Sequence, residues 1–380
     1  MYRIKLENPP AGYSASAAKS GEKVEIITRE FSSSEDGDFF ISRLEGFPSQ
    51  LISKLPPESG VKCSNIDHLL AVIHKSGECD VYANELELTA MVKPTRDVKK
   101  NDPVYEDDLA DIISLEFEGV KIPEDCGVMV IFSKGWRKGL YFDFSPVNHN
   151  GKGREYSLPH ALGHYYSYLF FQDLYKISHD EWTKLFVQQW FPFIGLKKDT
   201  VNSLVNYMRA DWNCDDLMDT IRSEVKQTLK SNVVKWRESK IFGEHIEFIS
   251  CAAERFLDGD NISSISILYP RIEGILRDFN VGIDVSHHSQ SNLSKAPLKM
   301  SMMPENKYTR LLPDKFTQYL KDVYFANFSP DAPAEVSRNS VGHGVAKLDS
   351  FSDKSSVLGF LIIDQLFYHK PASPRSVKSE

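Results

Sequence analysis

The residues best able to do chemistry lie close together near the C-terminal end, in the run Arg338-Asn339-Ser340-Val341-Gly342-His343-Gly344. An imidazole titrates near neutral pH, so it can take or give a proton at a ribose hydroxyl. A guanidinium stays charged and forks onto phosphate oxygens, where charge builds in a transition state. The amide can hydrogen-bond a phosphate or hold the histidine in orientation. Together these groups can do phosphate chemistry without a metal. On a helix, Asn339 and His343 fall one turn apart on one face, with Arg338 displaced around the cylinder. One copy therefore makes half a site, and two copies facing each other would make a better one.

The elements that must hold these residues read as helices. The period is cleanest at Ile262, Ile265, Tyr269, Ile272, Leu276 and Phe279, with Pro270 predicting a kink or a helix start. Asp314 to Phe328 reads as a helix behind Pro313. Phe351 to Tyr368 follows the motif with Leu358, Leu361, Ile362 and Leu366 on one stripe. Residues 281–310 read as an irregular insertion, with His287-His288 in a loop. Glu273 precedes Arg277 by four residues, the favourable order for an intrahelical pair.

The run of Arg338, Asn339 and His343, with four residues between arginine and histidine and a helix beside it, resembles the signature of the HEPN superfamily (higher eukaryotes and prokaryotes nucleotide-binding domain). The resemblance covers about residues 245–370. The segment Leu268-Tyr269-Pro270-Arg271-Ile272-Glu273-Gly274-Ile275-Leu276-Arg277 is similar to an earlier helix of some bacterial HEPN-type defence proteins. It implies an all-α C-terminal bundle that forms a homodimer and joins two motifs. It further implies RNA cleavage without metal or cofactor, leaving a 2′,3′-cyclic phosphate. Arg338, Asn339 and His343 would be catalytic, and Glu273, with Arg277 beside it, would orient Arg338 or His343. A bacterial toxin or antiphage effector, answering to an antitoxin or a phage-derived trigger, fits that reading. Two alternatives stand. Arg338 and His343 could merely cap the last helix or pair with Glu335 and Asp349, and Glu273–Arg277 could be an ordinary surface pair. The domain could also be a noncatalytic binder of RNA, nucleotide or protein.

Composition bounds the rest. A length of 380 residues allows two domains, and 41% hydrophobic with 26% charged residues is ordinary for globular chains. A formal charge of −8 does not suggest a protein that coats nucleic acid nonspecifically, so any RNA contact must be a local basic patch. Apolar runs fall short of a membrane span, and the first residues alternate like a strand rather than a signal peptide, so a cytoplasmic location without membrane attachment is expected. Cys63, Cys79, Cys126, Cys214 and Cys251 are scattered and odd in number, as free thiols are. Each reads as a packing residue rather than a nucleophile.

The expected fold class is α+β: a β-rich domain at 1–150 serving recognition, sensing or autoinhibition, a helical connecting region at 151–240, the HEPN-like domain at 241–370 and a disordered tail at 371–380. Strands are expected at Val24–Thr28, Phe39–Ile41, Leu69–Ile73 and Leu86–Val92, and a hairpin joins Val128–Phe132 to Leu140–Phe144. Lys230, Lys235, Trp236 and Arg237, with Lys226 and Lys240 nearby, interleave charge with an indole and could track an RNA backbone; a solvated helix face is the plainer reading. The hairpin tip Lys134, Trp136, Arg137 and Lys138 invites the same two readings. His160 and His164 have i,i+4 metal-ligand spacing but no third ligand, so no metal is expected. Arg154 to His160 imitates the motif's spacing but is broken by Pro159. Phosphate-binding P-loops, dinucleotide glycine fingerprints and nucleophile elbows are absent from the sequence.

Overall fold

Short apolar runs build the central strands of the N-terminal sheet, which are buried on both faces. The computed structural model describes residues 1–14, 19–148, 151–281, 289–300, 308–327 and 337–369. It has an α+β layout, an N-terminal antiparallel sheet followed by helices. The chain divides into two compact units, residues 1–92 with 111–175, and residues 93–110 with 176–380. The unit boundary thus falls at 175 rather than at the loop near 150, because the first long helix packs on the sheet.

The first unit contains β1 (Tyr2–Lys5), β2 (Tyr13–Ser14), β3 (Ile26–Ile27), β4 (Arg29–Ser33), α1 (Asp38–Glu45), α2 (Phe47–Ser53), β5 (His68–Ile73) and β6 (Glu78–Ala83). β7 (Leu88–Pro94) and β8 (Leu109–Phe117) pair in a ribbon, followed by β9 (Gly127–Lys134), β10 (Arg137–Asp143) and α3 (Leu158–Tyr175). Six strands form one sheet in the order β1-β6-β5-β9-β10-β4. Period-two alternation sends Met129 and Ile131 of β9 to one face, against Phe40 of α1 and Leu51 of α2. Val128, Val130 and Phe132 go to the other, against Leu158, Leu162 and Leu169 of α3. The β9–β10 hairpin closes through Gly135-Trp136, with Gly135 at φ +60°. Phe39-Phe40-Ile41 is helical, not a strand. Phe40 is buried while Phe39 and Ile41 are exposed, so the run has one inward residue per turn.

The second unit holds α4 (His179–Val187), α5 (Lys198–Arg209), α6 (Met218–Ser239), α7 (His245–Leu257), α8 (Asn261–Val281), α9 (Gln290–Ser294), α10 (Ala296–Met300), α11 (Pro313–Tyr319), α12 (Arg338–Gly342) and α13 (Asp353–Tyr368). α8 neither starts nor ends at Pro270, which lies inside it. The expected irregular insertion carries α9 and α10. The tail and His287-His288 lie outside the described residues. α11 passes into a π-helical turn, Leu320–Tyr324, so the helix expected to reach Phe328 ends earlier. α13 is buried from Ser355 to Tyr368 on every side instead of along one stripe, which makes it the centre of this unit. Its polar groups are met: Gln365 accepts from the Ile194 amide at 2.8 Å and donates to the Leu311 carbonyl at 2.8 Å. Residues 93–110 join this unit through Arg310, which donates to the Asp107 and Leu196 carbonyls at 3.2 and 2.8 Å.

Two measurements follow from this packing. A Cβ on Gly163 of α3 would stand 2.5 Å from the Ser114 Cα of β8. Gly163→Ala should therefore cost roughly 1–3 kcal/mol in urea unfolding, whereas unchanged stability would contradict that close packing. Burial lifts the Asp364 carboxyl to about 6, although Trp236 donates to it at 3.3 Å. Unfolded, it would lose its proton near pH 4, so between about 4 and 6 the folded state binds more protons and stability falls as pH rises. Asp364→Asn should remove that fall, and an equal pH slope in both proteins would refute it.

Candidate functional site

The motif forms a helix too short to persist alone, so the surrounding chain must hold it. A capping box starts α12: the Ser337 amide donates to Ser340 Oγ at 2.9 Å and the Ser340 amide to Ser337 Oγ at 3.2 Å. The His343 amide donates to the Asn339 carbonyl at 3.0 Å, which sets the two residues one helical turn apart. Asn339 is buried. Its Nδ2 donates to the Phe325 carbonyl at 2.9 Å and to Asn327 Oδ1 at 3.3 Å, and its Oδ1 accepts from Gln290 Nε2 at 2.7 Å. Phe325 directly follows the π turn, where helix-end carbonyls lack intrahelical partners. The amide expected to hold phosphate or imidazole is thus committed to docking α12. It acts as an anchor.

Arg338 is set by α8. Its Nε is in ion-pair contact with Glu273 Oε2, and Glu273 is only 6% exposed. Glu273 Oε1 accepts from Arg277 Nε at 3.0 Å and Nη2 at 2.5 Å, so one buried carboxylate serves two guanidiniums. The Glu273–Arg277 pair is not an isolated surface bridge. The Arg338 side chain retains 28% exposure. Its guanidinium lies over Gly342, where an added Cβ would sit 3.4 Å from Nη1. The next residue, His343, is exposed. Arg338, Asn339, Glu273 and Arg277 are therefore one local assembly on α8 and α12, and His343 follows it as the exposed C-cap of α12.

Tyr324 and Gln290 belong to it as well, and no local spacing in the sequence announces them. Tyr324 is buried and donates to the Tyr269 carbonyl at 2.6 Å. Burial pushes its hydroxyl well above the ordinary range, Glu273 adding to the shift and Arg338 opposing it. A cleft of about 480 Å³ opens beside the Asn339 anchor, with Gln290, Lys321, Phe325 and Asn327 among its lining residues. On the next strip of α8, His245 of α7 packs its ring on Gly274 and meets Asp278 Oδ2 at 3.1 Å.

The basic segment on α6 does not present its indole at the surface, as base stacking would need. Trp236 is 1% exposed and hydrogen-bonded to Asp364, so its indole is core and cannot stack a base. Lys235 turns inward, donating to the Thr95 carbonyl at 2.9 Å and lying over the Tyr368 ring. Arg237 pairs with Glu247 and donates to Ser250 at 2.9 Å; Lys230 remains exposed. Nor is the hairpin tip a free cationic patch: Arg137 binds Asp173 at 2.7 Å and Lys138 the Ile66 carbonyl at 2.8 Å, leaving Trp136 exposed. His160 and His164 are half-buried in the first turns of α3. Among the described residues, no group of three His, Cys, Asp or Glu side chains could hold a metal ion. No described helix is long and apolar enough to cross a membrane.

Compared with known proteins, the chain matches no family model, no curated protein and no solved structure. The site's own geometry therefore carries the functional argument.

Asn339→Ala would leave the carbonyl of buried Phe325 without the side-chain amide that now donates to it. A loss of about 1–3 kcal/mol in denaturant unfolding is expected. Unchanged stability would mean that the amide does not anchor α12.

Proposed function

We propose that the chain is a HEPN-type endoribonuclease whose centre is Arg338 and His343. One observation carries the reading: a part-exposed guanidinium, held by a buried acid, lies over Gly342, and the next residue, the exposed His343, caps the same short helix. His343 would take the proton of a ribose 2′-hydroxyl as that oxygen attacks the adjacent phosphate, or give a proton to the leaving 5′-oxygen. One imidazole cannot do both in the same step. A homodimer through the helical unit would bring a second His343, and the two would divide the roles. Arg338 would lie against the non-bridging oxygens as charge builds on phosphorus. Because Glu273 keeps Arg277, Arg338 can turn toward phosphate without leaving that carboxylate unpaired. Asn339 positions the helix and does not touch substrate. DNA, lacking the attacking hydroxyl, would not be cut.

With an overall charge of −8, RNA contact would be confined to this cationic corner. The sheet unit would sense a trigger or hold the nuclease inactive, as in a cytoplasmic toxin or defence effector kept in check by an antitoxin or awaiting a phage-derived signal.

Arg338→Ala and His343→Ala should each lower RNA cleavage in EDTA by at least about 100-fold, with unfolding midpoints checked in parallel. Cleavage retained by either folded variant contradicts the mechanism. Tight RNA retention with no cleavage by the wild-type chain would favour the noncatalytic binder instead.

A further inference from the structure

The register of the N-terminal sheet lines up four chemistry-bearing residues that the nuclease reading does not use. Arg3 of β1 pairs with Asp80 of β6, Asp80 with Val72 of β5, and Val72 with Val128 of β9. Side chains alternate with period two, so His74, two beyond Val72, and Cys126, two before Val128, share the face of Arg3 and Asp80. The contacts run in series. Cys126 Sγ lies 3.4 Å from His74 Nδ1, and His74 Nε2 lies 3.2 Å from Asp80 Oδ2. Arg3 donates from Nε to Asp80 Oδ1 at 2.6 Å and from Nη2 to Oδ2 at 3.2 Å.

Backbone contacts fix the ends of this series. The His74 amide donates to the Glu78 carbonyl at 2.8 Å, and its carbonyl accepts from Gly77 at 2.9 Å. The turn before Cys126 is held by buried Arg154, whose guanidinium donates to the carbonyls of Pro123 and Cys126. The sequence's false motif at Arg154 thus has a structural use. A nucleophile, a base within reach and a third group orienting that base are the parts needed for covalent acyl chemistry.

We propose that this row is a second reactive centre, in which Cys126 attacks small uncharged acyl donors with His74 as its base and Asp80 orienting the imidazole. The sulfur bonds to the acyl carbon as its proton passes to His74 Nδ1. The bond from that carbon to the leaving oxygen breaks, and the oxygen takes the proton from the imidazole. Water, giving a proton to the same nitrogen, then attacks the thioester carbon, and the proton returns to sulfur. The surroundings set the substrate class. Cys126 is 3% exposed and His74 34%, so entry runs over the imidazole and admits only small groups. Asp125, 3.9 Å from the thiol, and Asp80 oppose anions, Arg154 on the Cys126 carbonyl and Lys75 offset them, and the balance of signs suits an uncharged donor. Burial pushes the thiol up, with Asp125 adding to it, so sulfur rests protonated and needs a base.

The chain supplies its own controls. Cys79 and Cys214 are also buried, pushed to about 12 and about 11, without the imidazole contact that Cys126 makes. The full chain is exposed to p-nitrophenyl acetate and quenched in acid before the thioester can hydrolyse, and acetylation at each cysteine, with the matching burst of p-nitrophenolate, is followed by peptide mass mapping. Cys126 should react at least about 100-fold faster than Cys79 and Cys214. His74→Gln should lower that rate about 100-fold without changing the other cysteines, His74→Gly should regain it with added imidazole, and Asp80→Asn should lower it about tenfold. Acetylation of Cys126 no faster than of Cys79 and Cys214 would overturn the proposal, and that comparison uses only the wild-type chain. An unchanged Cys126 rate in folded His74→Gln would overturn it equally.

Discussion

The helical unit's candidate site depends on one buried carboxylate, Glu273, shared by Arg277 and Arg338. A carboxylate lodged in the protein interior without a counter-charge is costly, by several kcal/mol. Arg277 meets that cost within α8. Arg338 meets it from α12, and in doing so ties a five-residue helix to a long one. Two guanidiniums around one acid leave a net positive charge at the motif of an otherwise acidic chain. That surplus makes Arg338 both a structural tie and a group available to an anion.

Asn339 completes the hold. The π turn at Leu320–Tyr324 ends a helix one turn early and presents the Phe325 carbonyl, and the Asn339 amide meets it. The motif's three side chains therefore divide their work by burial: the inward amide docks, the half-buried arginine bridges, and the outward histidine faces solvent. Had all three faced solvent, nothing would hold their relative geometry. Had all three been buried, none could reach a phosphodiester.

Much of this arrangement was legible in the sequence where chemistry and period agreed. The one-turn relation of Asn339 to His343, the helix carrying Glu273, and the β9–β10 hairpin all follow from local spacing. Long-range partners did not. Nothing near residue 339 announces Gln290 or Phe325, and Cys126, His74, Asp80 and Arg3 meet only through strand register, so the thiol reads as a packing residue. Trp236 misled because its basic neighbours suggest a surface, whereas its indole is drawn inward by Asp364 of α13. Phe39-Phe40-Ile41 misled because three apolar residues fit a strand and one helical turn equally well.

The central claim is that the 2′-hydroxyl of RNA is the nucleophile and that the protein's own arginine and histidine serve its attack. The chemistry of the product ends tests it most directly. RNA cut by the wild-type chain in EDTA should carry 2′,3′-cyclic phosphate on one fragment and 5′-hydroxyl on the other, and a 2′-deoxy substitution at the cleaved linkage should block the cut. Fragments ending in 3′-hydroxyl and 5′-phosphate, or efficient cutting across the 2′-deoxy linkage, would contradict the account.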